Sequence, residues 1–452
     1  MRKPIFLILF VSYVLFSNAQ DANQAMDFLL NKNYPAAQEE YDKLYNESPQ
    51  ELEYLYYSAV CDLKLKNENS AIDKLNKILA PVRKNPKASR AEYNVSMLLA
   101  ECYHNIYMFD QELTIYSRLL KKEFKRKEEK TIRLKIKQAN DAKKLFMEFK
   151  QIVVTQLAII NSKYDDHTPI PDSSGQRIFF TSKRKGSTGG ELSPEGKFYE
   201  DIYVWNRNLG LWSKPYNIGP PINTAAHEAT AGVSLSGNTL FIFKAGKKNP
   251  GDLYVSYRTD TVWSKPVKLG KNVNKKYSRE QHAALSPDEN TLYFTSDRRR
   301  GEGGSDIWIS GKEDDGSWGK PENAPFNTEF DEGAPFIFNN GKTIYFSSKG
   351  YAGMGGFDVY KSEQKEDGTW SEPENIGFPI NTVDDDIFYF PAGNENIAYF
   401  TRRKGGSANI YKAQLYGEYE MMGQFMKPIP ANVPVALIAS LFVAYIFTPY
   451  LA

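Results

Sequence analysis

The sequence predicts a multidomain chain, α then all-β, with tetratricopeptide-type helical repeats leading into a β-propeller. Two observations carry this. Near the N-terminus Ala37, Tyr41 and Leu44 return 34 residues later as Ala71, Leu75 and Ile78, a helix-pair repeat length. Further on, a unit of roughly 50 residues recurs five times, each with an aromatic strand, a Gly-rich loop and an acid-led strand. The aromatic strands carry Phe180, Ile242, Phe294, Phe346 and Phe400, and the acid-led strands open at Asp201, Asp252, Asp306, Asp358 and Asn409. Units of short alternating strands bury their apolar faces by stacking radially.

The helical region is expected over residues 21–150. Tyr34, Ala37, Tyr41, Leu44 and Pro49 match the second-helix pattern of such a repeat, and a degenerate third copy reads Ala100, Tyr103, Phe109, Tyr116 and Leu119. Its displacement by 41 residues predicts a loop insertion over Pro81 to Lys87. Ile132, Ile136, Ala139, Ala142 and Leu145-Phe146 form one stripe of a long helix that caps the stack.

The propeller is expected over residues 151–415, with five blades and six as the alternative if an irregular segment forms another. Four repeats supply an outer strand at Trp212, Trp263, Trp318 and Trp370; the fifth supplies none. Residues 151–162 end in Asn161-Ser162, as later blades end in Asn223-Thr224, Val273-Asn274, Asn327-Thr328 and Asn381-Thr382. They are therefore predicted to complete the fifth blade and remove its open edge. Ser187 to Glu200 reads as a surface loop inserted in the first blade.

The termini and composition bound location and partners. Residues 1–19 read as a signal peptide, with Arg2-Lys3, an apolar run from Ile5 to Phe16 and small residues before Gln20. This predicts an exported, periplasmic protein. With 57 basic and 55 acidic residues the chain has no nucleic-acid footprint, and the basic stretch from Arg118 to Lys150 reads as a solvated helix face. Cys61 and Cys102 fall on equivalent positions of successive helices, whose axes lie about 8–10 Å apart, and are expected to stay reduced. In the tail, 416–452, residues 433–452 lack any charge and read either as a membrane helix, giving membrane contact, or as a truncated β-domain begun by Pro428 to Val435.

One constellation has pseudo-symmetry. Asp166, Glu228, Glu280, Glu332 and Asp386 each stand 14 residues before the central residue of the aromatic strand. A structural ring is expected, each carboxylate accepting backbone N–H bonds across a blade junction; the alternative is a cation site. The acids at 201, 252, 306 and 358, with Asn409, read as turn chemistry. Gly232 to Gly237 lacks the nucleophile-elbow spacing, His227-Glu228 lacks a second zincin histidine, and His167, His227 and His282 occupy different registers, as exposed loop histidines would. No catalytic, cofactor or metal residues are assigned, and a non-enzymatic protein is expected.

The leader, the helical repeats, Ser286-Pro287-Asp288 through Ser296 and Gly303-Gly304-Ser305-Asp306-Ile307-Trp308 together resemble TolB-like, WD-type propeller proteins of Bacteroidota envelopes. The resemblance covers residues 21–415. Many such proteins continue into a carboxypeptidase-regulatory-like β-domain and a peptidoglycan-gripping OmpA-like domain, and a PorE-like branch serves type IX secretion and gliding; this chain ends at 452 without the OmpA-like segment. The resemblance implies a cell-envelope scaffold that takes a peptide or helix in its helical groove and a protein on its propeller face. The alternatives are a glycan- or small-ligand-sensing propeller and a hydrolase accessory.

Overall fold

The computed structural model describes residues 19–415, apart from 86–87, 123, 191, 193–197, 247–248 and 394–395. The expected tail, and the leader up to residue 18, lie outside the described residues. Seven helices come first among these: α1 (Ala19–Leu30), α2 (Tyr34–Glu47), α3 (Leu52–Lys64), α4 (Glu68–Val82), α5 (Ser89–Asn105), α6 (Phe109–Leu119) and α7 (Arg126–Met147). The turns inside successive pairs pass through Lys32, Lys66 and Tyr107, all at positive φ, so the 34- and 41-residue spacings of the sequence recur in the backbone.

Both apolar triads behave as their periodicity requires. Ala37, Tyr41 and Leu44 on α2, and Ala71, Leu75 and Ile78 on α4, are buried at the helix junctions. Each Leu or Ile so buried contributes about 1.5–3 kcal/mol. The expected insertion is shorter than the sequence suggested, because Pro81 lies inside the last turn of α4; a proline there removes one N–H, and the helix ends at Val82. Cys61 packs with Ala37 and Tyr41, Cys102 belongs to the separate cluster of Leu99 and Tyr116, and both are buried free thiols pushed up to about 12 chiefly by burial. The stripe on α7 divides its work. Ile132 and Ile136 cap the stack, whereas Leu145 and Phe146 pack against Met354 and Phe378 of the β region.

Five antiparallel blades follow, so the six-blade alternative is set aside. Inner strands are Asp166–Pro171, His227–Val233, Glu280–Leu285, Glu332–Ile337 and Asp385–Ala392. Second strands are Arg177–Ser182, Thr239–Gly246, Thr291–Ser296, Thr343–Ser348 and Ile397–Lys404, and third strands are Asp201–Asn208, Asn249–Thr259, Asp306–Gly311, Asp358–Glu363 and Ser407–Leu415. Four blades close with short outer strands of their own. In the fifth, Ile152–Gln156 lies antiparallel on the third strand, pairing Ile152 with Leu415 and Gln156 with Tyr411. The core sits between blades, where aromatic second strands meet, as Phe179, Ile202 and Val204 of blade 1 meet Leu240 and Ile242 of blade 2.

Every inner strand carries a bulge just after its ring carboxylate. At the bulge Thr168, Ala334 and Phe388 adopt positive φ, and the turned N–H of Thr168 donates to Thr401 Oγ1 of the fifth blade at 3.0 Å. Thr230 N–H donates likewise to Thr181 Oγ1 of the first blade at 2.8 Å. The bulges thus convert a strand irregularity into contacts between blades.

Blade closure makes a direct prediction. Propeller chains starting at Gln151 and at Lys163 differ only by the closing segment. The first should be monomeric by size-exclusion chromatography and unfold cooperatively, and the second should aggregate through the open edge of Ser407–Leu415. Equal cooperative unfolding of both would show that the fifth blade does not need that strand.

Candidate functional site

The site rests on a lattice repeated at all five blade junctions. In each connection entering a blade, an asparagine exchanges two hydrogen bonds with the backbone N–H and C=O of one residue of the preceding blade's third strand. Asn223 Oδ1 accepts from Ile202 N–H and its Nδ2 donates to Ile202 C=O, both at 2.9 Å. Asn161 holds Ile410 in this way, Asn274 holds Leu253, Asn327 holds Ile307 and Asn381 holds Val359. An amide can do this because it carries donor and acceptor side by side.

The ring carboxylates complete the lattice. Asp166, Glu228, Glu280, Glu332 and Asp386 accept the backbone N–H of Ser162, Thr224, Lys275, Thr328 and Thr382 respectively. Each donor belongs to the connection that has just left the preceding blade, so the carboxylate fastens its own blade to that blade through the connection. Four carboxylates also take a cation from their own blade: Arg184 at 2.6 Å, Lys244 at 3.2 Å, Arg298 at 3.3 Å and Arg402 at 2.6 Å. Blade 4 has Gly350 where blades 1 and 3 have arginine, and Glu332 is held by the hydroxyls of Thr328 and Ser348 at 2.6 Å each. Burial pushes Glu280 and Glu332 up, against the lowering effect of these donors.

The acids opening the third strands brace the Gly-rich loops. Asp306 Oδ1 accepts from Glu302 and Gly303 N–H at 3.1 Å, and Asp358 Oδ2 from Met354 and Gly355 N–H at 3.0 Å. A Cβ on Gly353 would stand 2.2 Å from that oxygen, which is why the loop needs glycine there. Among the described residues the second oxygens of Asp201, Asp306 and Asp358 are buried without a hydrogen-bond partner. Burial holds the Asp358 carboxyl well above its usual range, against the lowering effect of the Gly355 and Met354 N–H groups.

These supports shape the mouth of the propeller. Glu200, at the end of the blade 1 insertion, lies 3.2 Å from Lys183 Nζ and 3.7 Å from His167 Nε2 and from His227 Nδ1. Burial raises its carboxyl, but the hydrogen bond and charge of His167, with Lys183 and His227, outweigh that and hold it below the usual range. Deeper in, His282 accepts Ala334 N–H at Nδ1, 3.1 Å, which requires the neutral ring; burial first, then the Arg279 and Arg403 charges, lower it to about 3. Phe388 stands between His282 and His167, ring centroids 4.8 and 6.1 Å away. The three histidines thus line the inner strands and do not lie on exposed loops, as their registers had suggested. Glu200 gathers two of them, a convergence absent from any local spacing.

The helical stack covers this mouth. Phe146 packs on Phe378 with centroids 4.9 Å apart and on Tyr107 at 5.1 Å. Lys66 pairs with Asp384 at 3.1 Å, and His104 Nε2 meets Met354 C=O at 2.7 Å. Between stack and mouth lies a cavity of about 760 Å³ lined by charges of both signs, among them Lys32, Glu101, Lys183, Glu200, Asp385 and Arg403. An open groove of about 340 Å³ runs along α3 and α5 past Tyr56, Tyr57 and Val82.

Comparison with known proteins adds the fold. No family model and no curated relative matches the chain. Among solved structures, TolB from Acinetobacter baumannii is 12% identical over 57% of this chain and 56% of its own, with TM-score 0.35. The Trypanosoma rangeli sialidase bound to DANA is 11% identical over 61% of each chain, TM-score 0.38. A GH43 β-xylosidase/α-arabinofuranosidase from a compost metagenome, CoXyl43, is 10% identical over 59% of this chain and 97% of its own, TM-score 0.39. These are likenesses of fold. They correct one expectation: glycosidases stand among the similar propellers, so a repeated-blade architecture without a familiar motif gives no ground for a non-enzymatic assignment.

Two predictions follow from the supports. Glu332→Gln keeps an acceptor and strands no cation, so it should cost about 1 kcal/mol, whereas Glu280→Gln leaves buried Arg298 without its counter-charge and should cost about 3 kcal/mol or more in denaturant unfolding. Equal costs would show that the arginines do not depend on the ring. For Asp358, the folded carboxyl keeps a proton that the unfolded chain releases near 3.8, so its stabilisation is whole below that value and is lost as pH rises through the folded one. Asp358→Asn should therefore flatten the fall of melting temperature as pH rises above about 4; parallel curves for parent and variant would contradict the assignment.

Proposed function

We propose that the protein is an interaction scaffold of the cell envelope, in which helical repeats and propeller act as one rigid body with two binding surfaces. The observation that carries this reading is the seam itself. Tyr107, Phe109, Phe146, Met354 and Phe378 bury an aromatic contact between the two parts, with Lys66–Asp384 beside it. Such a seam fixes the α3–α5 groove relative to the blades, and a groove so held suits an extended or helical segment of a partner. Tyr56 lines this groove and also a second cavity, of about 330 Å³, that reaches blade 4 at Lys349 and Tyr351, so one ligand can touch both parts. The leader-like N-terminus supports placing the scaffold outside the cytoplasm, and the resemblance of its repeats supports an envelope assembly such as that of type IX secretion.

A second reading has its own observation. The covered cavity joins Glu200, His167 and Lys183 to Arg403 and Asp385, a set of donors and acceptors that suits a small polar ligand such as a glycan.

A photoreactive residue at Tyr57, introduced in the living cell, should yield one discrete crosslinked species identifiable by mass spectrometry, while the same residue at exposed Lys137 yields none. Indistinguishable adducts at both positions would remove the groove from the reading. Loss of the Tyr57 adduct on adding soluble oligosaccharides would favour the second.

A further inference from the structure

The face of the propeller opposite the helical stack is unlike itself from blade to blade. The stack touches the loops between second and third strands and the connections into inner strands, at Met354, Gly405 and Asp384. Third strands begin on that face and end on the other, where each turns into an outer hairpin. In blades 3 and 4 these hairpins are acidic, with Glu313, Asp314 and Asp315 in one and Glu366 and Asp367 in the other. In blades 1 and 2 they are apolar and basic. Leu209 is 103% exposed, Leu211 77% and Val262 69%, with Tyr257 beside them at 57%. Arg207, Lys214, Arg258 and Lys265 flank these tips, and Asp260 is the one acid of the two hairpins.

The turn of blade 1 is costly in isolation. Asn208 pairs with Leu211, so Leu209-Gly210 is a two-residue loop with φ of 49° and 81°. That turn is built best by Asn-Gly, and a leucine there strains the backbone while its whole side chain faces water. The basic groups also repel: burial and then the Arg207 charge lower Lys412, and burial and then Arg258 lower Arg177. Neither feature helps the isolated propeller. Both would be relieved where apolar tips enter hydrocarbon and cations meet phosphate.

We propose that the hairpins of blades 1 and 2 dock on an anionic phospholipid bilayer, with Leu209, Leu211 and Val262 entering the interface and Arg207 and Arg258 meeting headgroups. Protruding tips suit a fluid surface, whereas a protein partner would need matching pockets. The course of the chain agrees. Its last described strand, Ser407–Leu415, ends on this same face, and the sequence beyond it includes the uncharged residues 433–452. Docking in this pose holds the helical groove away from the membrane.

The test uses the full chain, whose two native cysteines are buried. Leu211→Cys and, on the matching blade 3 hairpin, Ser317→Cys are labelled with an environment-sensitive fluorophore. On vesicles of phosphatidylglycerol and phosphatidylcholine the label at 211 should shift to the blue and that at 317 should stay in water. The double variant Arg207→Gln/Arg258→Gln should partition roughly 30-fold more weakly into these vesicles at low salt, and like the parent into phosphatidylcholine alone. A label at 211 that stays wet overturns the proposal, and is the result expected if the hairpins seat a protein. Unchanged partitioning of the double variant also overturns it, since the chain would then be held by other segments.

Discussion

Everything in the β region depends on one exchange: an asparagine side chain giving and taking a hydrogen bond at the backbone of a single residue of the preceding blade. Backbone ladders run within a blade and end at its outer strand, so nothing in them sets the distance from one blade to the next. The asparagine sets it, at Asn161, Asn223, Asn274, Asn327 and Asn381, always against a residue in the first half of a third strand. The carboxylate five or six residues later then fixes the connection that carries that asparagine. Both sets of bonds lie in buried or half-buried junctions, where leaving a buried donor unpaired costs about 1–3 kcal/mol. Apolar packing between aromatic strands supplies most of the burial, but it is tolerant of sliding; the directional bonds are what hold five sheets in one register.

This lattice explains how the mouth can be polar. Glu200 draws two histidines and a lysine toward one point, and His282 is held neutral below them. Such groups would loosen a purely apolar assembly. Here the strands that carry them are fastened from outside by the junction bonds and from inside by the bulges, whose turned N–H groups reach the neighbouring blade. The helical stack is fastened to the same framework through Phe378 and Asp384, residues flanking Asn381 in the last connection. A contact made by the stack is therefore made on the most firmly held part of blade 5.

What the sequence revealed divides along the same line. Features that repeat were legible: the helix triads at 37 and 71, the aromatic strands, the five carboxylates and the missing fifth outer strand, each visible because a copy elsewhere in the chain fixed its register. Features made once were not. Glu200 sits at the end of an insertion with no counterpart, and its partners come from two blades. The 41-residue displacement of the third copy placed a loop from Pro81 on, yet the last turn of α4 tolerates that proline. The histidines were judged by sequence register, which misses that an inner strand presents successive residues to different sides of the bulge. The seam of Tyr107, Phe146 and Phe378 joins residues whose neighbours predict only local helix or turn.

The pairing of Ile152–Gln156 with Ser407–Leu415 joins the first strand of the described residues to the last. No blade junction can be counted as permanent until that contact forms, because an open ring of blades has two free ends. Much of the ordering entropy of the whole circuit falls on that one step, because it closes the longest loop in the β region. Closure of the propeller thus waits on a pairing between distant parts of the chain, and the helical stack, whose internal contacts are local, needs no such step.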